Sequence, residues 1–366
     1  MSGGAEDDKR FMAAAIRLCR RNLGLTATNP SVACLIVKDG LIVGSAVTAP
    51  GGRPHAETQA LAAAGEAARG ATAYVTLEPC SHHGKTPPCA DALTASGVAR
   101  VVVSVTDPDE RVAGRGLSML RNAGIEVATG LLEAEGRDAL AAYLTRQTKK
   151  RPYVTLKLAV SADGMLGRLG AGQVAITGPV SRGQVHVLRA ETDAILVGIG
   201  TALADDPELT CRLPGLEARS PVRIVLDPRL ELSPASKLAR TAQQVPVIAV
   251  TAKDGRDEPA LAARQAALEA LGVEVLICDP HRLDALLVAL ATRGISSLLV
   301  EGGARTAQSF LDAGLVDRIL LFSGRATIGK DGVASPFVFG RMPDGFSLRH
   351  SVRYGADRMQ EYERDD

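Results

Sequence analysis

Ala73-Tyr-Val-Thr-Leu-Glu-Pro-Cys-Ser-His-His-Gly-Lys-Thr-Pro-Pro-Cys89 opens as a β-rich run and ends in a loop bracketed by two cysteines. Ala73 to Leu77 predicts a strand, and Glu78-Pro79-Cys80 puts the first thiol at its end. Upstream, His55-Ala56-Glu57 opens an alanine-rich segment that predicts a helix over 57–69. His55, Cys80 and Cys89 offer one imidazole and two thiolates, the mixed set that suits tetrahedral zinc. Three protein ligands leave the fourth position to water, as in catalytic rather than structural sites. Glu57, two residues after the histidine, is placed to handle that water's protons without binding the metal. Histidine-x-glutamate followed by proline-cysteine is the signature of zinc deaminases that act on nucleobase-like rings. Here eight residues, Ser81 to Pro88, separate the cysteines where that signature has two. Zinc fixes the positions of the sulfurs and not the length of chain between them. The intervening loop, with two histidines, a lysine and Pro87-Pro88, reads as a stiff, basic lid.

The surroundings alternate helix and strand. A helical pattern over 6–24 sets Phe11, Ala15, Ile16, Leu18 and Cys19 on one side. Val32 to Val37 and Leu41 to Val47 flank the turn Lys38-Asp39-Gly40. Val101 to Val105, a helix near 115–123 and Ile125 to Ala128 continue the series. The candidate ligands thus fall at strand-to-helix junctions, where open α/β sheets gather their sites. A polar, basic run from Thr145 to Pro152 marks a domain junction, giving domains over 1–146 and 153–366 with a linker over 147–152. Beyond it the alternation restarts, with strands expected at 153–160, 193–197, 222–226, 245–250, 273–277 and 297–300. Helices are expected over 180–190, 258–271, 281–293 and 304–313, and further strands near 316–323 and 346–353. This second half reads as α/β with a mixed sheet.

Composition narrows the function. The 366 residues are 46% apolar and 23% charged, with a formal net charge of +1. So near-neutral a balance argues against a general nucleic-acid binder, which would show a basic face or tail. Zero tryptophan and 3% aromatics leave few platforms for stacking bases, so a nucleic-acid partner is not expected and the substrate is a small molecule. Six cysteines in so long a chain are not a disulfide framework. No start resembles a signal peptide and no run has the length of a membrane span, so the expected location is the cytoplasm. His186 and His281 read as partly exposed helix residues.

The chain resembles the family of bifunctional riboflavin-biosynthesis deaminase/reductases (RibD). The first half matches in Thr28-Asn29-Pro30-Ser31-Val32, His55-Ala56-Glu57, Pro79 to Cys89, Asp107-Pro108 and Val112-Ala-Gly-Arg-Gly116. The second half matches in Lys157-Leu-Ala-Val-Ser161-Ala-Asp163-Gly164, Ile176-Thr177, Leu188-Arg189-Ala190, Gly200-Thr201, Ala204 to Thr210, Arg212 and Val300-Glu301-Gly302-Gly303. Their order and spacing together carry the resemblance, and the long loop between the cysteines is typical of the family.

The resemblance implies a cytidine-deaminase-like three-layer α/β/α domain followed by a dihydrofolate-reductase-like α/β domain. It implies one zinc ion per chain and NADPH, acting successively on one phosphorylated pyrimidine. The 2-amino group of 2,5-diamino-6-ribosylamino-4(3H)-pyrimidinone 5′-phosphate is hydrolysed, and the ribosyl chain is then reduced to ribityl. Carried over by position, Glu57 is the deaminase proton carrier, and Asn29, His82 and Lys85 contact its substrate, with Lys85 suited to the phosphate. Lys157 is the candidate catalytic residue of the reductase. Arg189 and Arg212 are implied to hold the ribose phosphate, with Leu209 and Glu301 beside the sugar or ring. Ala159, Ser161, Thr177, Thr201, Asp205, Gly302, Gly303, Ala304, Arg305 and Thr306 are implied to hold NADPH. A homo-oligomer, dimer or tetramer, is expected. The chain departs from the family pattern at Ala175, where tryptophan is common, and at Pro228, where serine is common. Ala33 and Asp109-Glu110 are further departures. These keep open a second reading, a deaminase whose reductase-like half serves only assembly, which NADPH binding discriminates.

Overall fold

β-branched runs alternating with alanine- and leucine-rich helices build two α/β units, Met1–Lys150 and Arg151–Asp366. The structure is a computed structural model and describes residues 3–82, 87–109, 112–252 and 258–365.

The first unit contains helices α1 (Gly3–Cys19), α2 (Ala56–Ala64), α3 (Cys89–Ser96), α4 (Arg115–Asn122), α5 (Glu133–Ala139) and α6 (Ala141–Lys149). Its strands are β1 (Ala33–Lys38), β2 (Leu41–Val47), β3 (Thr72–Leu77), β4 (Arg100–Val105) and β5 (Glu126–Thr129), in the order β2-β1-β3-β4-β5. β1 runs antiparallel to both neighbours, while β3, β4 and β5 are parallel. Central strands covered on both faces carry continuous apolar runs. Cys34, Ile36, Val75 and Val103 pack with Ala60 of α2, Leu93 of α3 and Leu120 of α4. Leu35, Val37, Tyr74 and Val102 pack with Phe11, Met12, Ala15 and Ile16 of α1 and Ala139 of α5. The unit is therefore a three-layer α/β/α sandwich. The helix expected over 57–69 stops at Ala64, because Gly65 turns to φ +54 and a 3-10 turn follows. The basic run read as a linker begins inside α6, whose Tyr143 and Leu144 join the core.

The second unit is built on a nine-stranded sheet. Its strands are β6 (Tyr153–Val160), β8 (Ala194–Gly198), β9 (Val222–Leu226), β10 (Val247–Thr251), β11 (Glu274–Ile277), β12 (Ser297–Glu301), β13 (Arg318–Ser323), β15 (Phe346–Tyr354) and β16 (Asp357–Arg364). The order is β11-β10-β9-β8-β12-β6-β13-β16-β15, parallel as far as β13 and antiparallel beyond it. A two-stranded ribbon joins β7 (Met165–Arg168) to β14 (Gly332–Ala334). One face carries α11 (Leu283–Thr292) and α12 (Ala304–Asp312), through Leu286, Leu290 and Phe310. The other carries α8 (Ile199–Asp205), α9 (Lys237–Arg240) and α10 (Pro259–Glu269), with α7 (Pro179–Ala190) packed through Val185 beside Phe322. β7, β14 and β16 were not expected from the sequence. β16 reads Asp-Arg-Met-Gln-Glu-Tyr-Glu-Arg and lacks an apolar signal, yet it pairs along both edges between β13 and β15. Among the described residues no helix is long and apolar enough to cross a membrane.

Candidate active sites

In the first unit the candidate ligands come from three chain segments that meet past the end of β3. His55 is the N-cap of α2, Cys80 follows β3, and Cys89 is the first residue of α3. His55 Nδ1 lies 3.7 Å from Cys80 Sγ and 3.4 Å from Cys89 Sγ. All three donor atoms fall within 4.8 Å of one another. A tetrahedral ion at Zn–N and Zn–S bond lengths requires donor separations of about 3.5–3.8 Å, so one zinc fits this set. The Cys89 N–H donates to Cys80 Sγ at 3.3 Å, and the Ala90 N–H to the Cys80 carbonyl at 3.2 Å. The backbone thus places the first thiol independently of metal. The two thiols share protonation, since the neighbouring Cys89 thiol holds Cys80 down at about 4 despite burial, with His55 assisting. Cys89 is pushed up in return by its contact with Cys80.

Glu57 lies in the first turn of α2 and is only 3% exposed. Burial pushes its carboxyl above the ordinary range, and Cys80 pushes in the same direction. Asn29 stands on a neighbouring loop with its carboxamide against Gly52, where an added Cβ would meet Nδ2 at 2.3 Å. Gly52 sits three residues before His55, so the loop of Asn29 and the loop leading to His55 pack side chain to backbone. His82 Nδ1 is buried and has no hydrogen-bond partner among the described residues. Lys85 lies outside the described residues.

Sequence reasoning left three supporting residues without a role. Glu78, 3% exposed, accepts from the backbone N–H groups of Gly114 (3.0 Å), Asp107 (3.4 Å) and Leu117 (3.4 Å), fixing the start of α4 against the chain that carries Cys80. A Cβ at Gly116 would stand 2.1 Å from the Pro79 carbonyl, so only glycine allows this approach. Asp107 accepts from the Tyr143 hydroxyl at 3.1 Å through each carboxylate oxygen, and burial raises it to about 6. The signal for all three was present in Glu78-Pro79, Asp107-Pro108 and Gly114-Arg-Gly116, but their meeting is tertiary.

In the second unit a cleft of about 1330 Å³ opens where the parallel strands end, the usual ligand edge of such a sheet. β6 alternates strictly, so Val154, Leu156, Leu158 and Val160 enter the core and Lys157 and Ala159 fall on the opposite face. Lys157 and Glu301 are cross-strand partners in register. Lys157 Nζ lies 3.8 Å from Glu301 Oε2, and Arg189 clamps the same carboxylate with Nε to Oε1 at 2.8 Å and Nη2 to Oε2 at 3.0 Å. Burial works to raise Glu301, but Arg189 and Lys157 outweigh it and hold the carboxyl at about 2. Burial lowers Lys157, with Glu301 opposing.

The cleft is lined by Lys157, Ala159, Thr177, Arg189, Thr201, Asp205, Leu209, Arg212 and Glu301, and by the run Gly302 to Thr306. Three expectations change. Ser161 does not line it: its hydroxyl donates to Asp163 at 2.6 Å and accepts from the Met165 N–H at 2.9 Å, holding the β6–β7 turn. Arg189 and Glu301 face each other before they face any substrate, and Arg189 Nη1 is also given to the Thr210 carbonyl at 3.1 Å. Arg212 is the exposed arginine, its side chain 49% accessible and paired with Glu208 at 3.0 Å. His186 and His281, read as partly exposed helix residues, are half-buried on α7 and exposed in the turn before α11 respectively, and both line the cleft. His186 Nδ1 accepts from the Arg212 N–H at 3.3 Å, and it lies three residues before Arg189 on the same face of α7. The loops after β8 and β12 interlock. A Cβ at Gly198 would meet Thr306 Oγ1 at 2.5 Å, and one at Gly303, whose φ is +72, would meet Thr201 Oγ1 at 2.9 Å. Gly303 is the N-cap of α12, so the helix's free N–H groups can face a cofactor phosphate. Ala175 and Pro228 also line the cleft, leaving it open at both departures.

Comparison with known proteins gives two family matches. Residues 152–358 match the RibD C-terminal domain, and residues 5–105 match the cytidine and deoxycytidylate deaminase zinc-binding region. The riboflavin biosynthesis protein RibD of Aquifex aeolicus (strain VF5) is 44% identical over 325 residues, covering 89% of each chain. That of Escherichia coli (strain K12) is 41% identical over 339 residues, covering 88% of this chain and 89% of the relative. Among solved structures, Acinetobacter baumannii RibD superposes with a TM-score of 0.86 at 35% identity, covering 99% of this chain and 100% of the other. A diaminohydroxyphosphoribosylaminopyrimidine deaminase/5-amino-6-(5-phosphoribosylamino)uracil reductase from Thermotoga maritima gives 0.85 at 34% identity, covering 98% and 99%.

Proposed function

The chain belongs to the RibD family, and from that premise we propose how its residues divide the family's two reactions. It is a bifunctional riboflavin-biosynthesis enzyme, a zinc-dependent deaminase joined to an NADPH-dependent reductase. We assign the deaminase to residues 1–146 and the reductase to 153–366.

In the deaminase, His55, Cys80 and Cys89 hold zinc. When bound, zinc lowers the pKa of a coordinated water from 15.7 to roughly 7. Glu57 takes a proton from the attacking water, passes it to the ring nitrogen beside C2, and then helps the amino group leave as ammonia. Its burial beside the three ligands lets it carry that proton from water to ring without exchanging it with solvent. Asn29 reads the pyrimidine edge, donating and accepting through one carboxamide. His82, with its buried and unpartnered nitrogen, supplies a further polar contact, and Lys85 meets the 5′-phosphate.

In the reductase, NADPH supplies the hydride when bound, held along Ala159, Thr177, Thr201, Asp205 and the Gly302–Thr306 run. Lys157 polarises the imine or carbonyl of the opened sugar from the cleft floor. Arg189 fixes Glu301, and through it Lys157, so that the ammonium is aimed before substrate arrives. Arg212, the exposed arginine, is the phosphate hook, with Leu209 in the wall beside it.

The observation that carries the second activity is the Lys157–Glu301–Arg189 constellation on the floor of an open cleft, a costly arrangement for a domain used only in assembly. The test is NADPH oxidation by the zinc-loaded protein supplied with the deaminated ribosylaminouracil phosphate. Oxidation with ribityl product is expected. Ammonia release without oxidation would overturn the reductase assignment. We place the enzyme in the cytoplasm, in keeping with cysteines that form no disulfide. We also propose a homo-oligomer, and β15 offers an edge for it, with Leu348 51% and Val352 40% exposed. Sedimentation equilibrium giving only monomer would refute this.

A further inference from the structure

The strand order of the second unit sets a direction along the cleft. β6, β12, β8 and β9 lie side by side and parallel, so their C-terminal ends share one edge. Lys157 and Ala159 belong to β6, Gly302 and Gly303 follow β12, Gly198 closes β8, and Pro228 and Arg229 follow β9. All of these residues line the same cleft. Three strand spacings separate β6 from β9, about 14 Å, which is the reach of an extended dinucleotide. With the reacting ring over β6 and the diphosphate at the N-terminus of α12, the adenosine half arrives at the end of β9.

The turn after β9 is built to present one side chain. The Asp227 carboxylate accepts from the N–H groups of Glu231 and Leu232, each at 2.8 Å, and Leu230 is buried at 1% exposure. The Arg229 carbonyl accepts from Arg264 at 2.9 Å. Between these anchors the Arg229 guanidinium stands 76% exposed, with Nη2 3.4 Å from Glu231 Oε1. Pro228 has no N–H to offer a phosphate. A carboxylate at this end favours a ribose 2′-hydroxyl, whereas an arginine accommodates a 2′-phosphate. Here the carboxylate of Glu231 is already engaged by the arginine.

We propose that Arg229 recognises the adenosine 2′-phosphate and makes the reductase select NADPH over NADH. The proposal rests on reading this cleft as the dinucleotide site. His281, on the same cleft, stands after β11, and Arg305 lies in the first turn of α12 beside the diphosphate. Arg305 therefore serves both dinucleotides and Arg229 only the phosphorylated one.

The experiment is calorimetric titration of the full zinc-loaded protein with 2′,5′-ADP, ADP, NADPH and NADH, for the unaltered chain, Arg229→Ala and Arg305→Ala. Arg229→Ala is expected to weaken 2′,5′-ADP and NADPH roughly ten-fold and to leave ADP and NADH unchanged. The unaltered chain's preference for 2′,5′-ADP should also shrink as ionic strength rises, because Arg229 is exposed. Equal losses for both dinucleotides in Arg229→Ala, or no loss, would overturn the proposal. So would selectivity that disappears in Arg305→Ala instead. An unaltered chain that binds none of the four would overturn the reading of the cleft together with the proposal.

Discussion

Replacing Arg189 by methionine removes the clamp on Glu301 while keeping an unbranched apolar stem in its place. The two side chains are 11% and 10% exposed, so solvent does little to screen what is lost. Holding the Glu301 carboxyl at about 2 instead of its ordinary 4.5 is worth roughly 3 kcal/mol. That agrees with the ~3–5 kcal/mol typical of breaking a buried pair from one side. In a unit of this size it corresponds to a fall of about 6–12 °C in melting temperature. The depressed pKa contributes stability that is present above 4.5 and lost as pH falls through about 2. In Arg189→Met, burial dominates and the carboxyl rises, so the deficit is largest at pH 7 and shrinks as acid protonates Glu301. The assay is calorimetric unfolding of the full chain between pH 5 and 8, with each unit's transition followed separately. Only the transition of the second unit should move. Adding Glu301→Leu to Arg189→Met should recover most of the stability without recovering NADPH oxidation. An unchanged second transition, or a double variant no more stable than the single, would refute the role given to this pair.

Further perturbations address the first unit. Glu57→Gln should retain one zinc by metal analysis and lose deamination by at least about 100-fold, with NADPH oxidation intact; retained ammonia release would remove Glu57 from the mechanism. Gly116→Ala forces the Pro79 carbonyl back from 2.1 Å and should lower zinc occupancy and deaminase activity together, while a substitution at the half-buried Gly114 is no substitute test because its φ is +79. Asp107, raised to about 6 in the fold, costs stability above pH 6 that is relieved as pH falls toward 3.8. Asp107→Asn should therefore flatten the pH dependence of the first unit's melting between pH 4 and 6, and an undiminished slope would contradict that.

Chemistry was easier to read than support. His55, Cys80 and Cys89 announce themselves because few functions need that residue set in that order, and the structure adds the distances. β6 and β9 were legible because burial on one or both faces writes a β pattern into the residues. β16 was not, since only Met359 and Tyr362 give it buried apolar side chains and the backbones of its two neighbours provide the pairing. α5 and α6 carry no clear helical pattern, and the linker reading takes in the end of α6, because Gly136, Ala139, Tyr143 and Leu144 bury too narrow a stripe among charges. Arg189 and Glu301 were both singled out, but neither pattern nor spacing shows that residues 112 positions apart close on each other. The sequence therefore assigned two substrate contacts where the fold first makes one internal pair.

The interlock of Gly198 with Thr306 and of Gly303 with Thr201 ties the two binding loops into one heritable unit. A methyl at Gly198 is acceptable to its own backbone, at φ −80, and is barred only by the opposing hydroxyl. Such a change can spread through a lineage only if position 306 has already shrunk, whereas Gly303, at φ +72, has no such escape. Among descendants of this chain, positions 198 and 306 should drift as a couple, and position 303 should not drift at all.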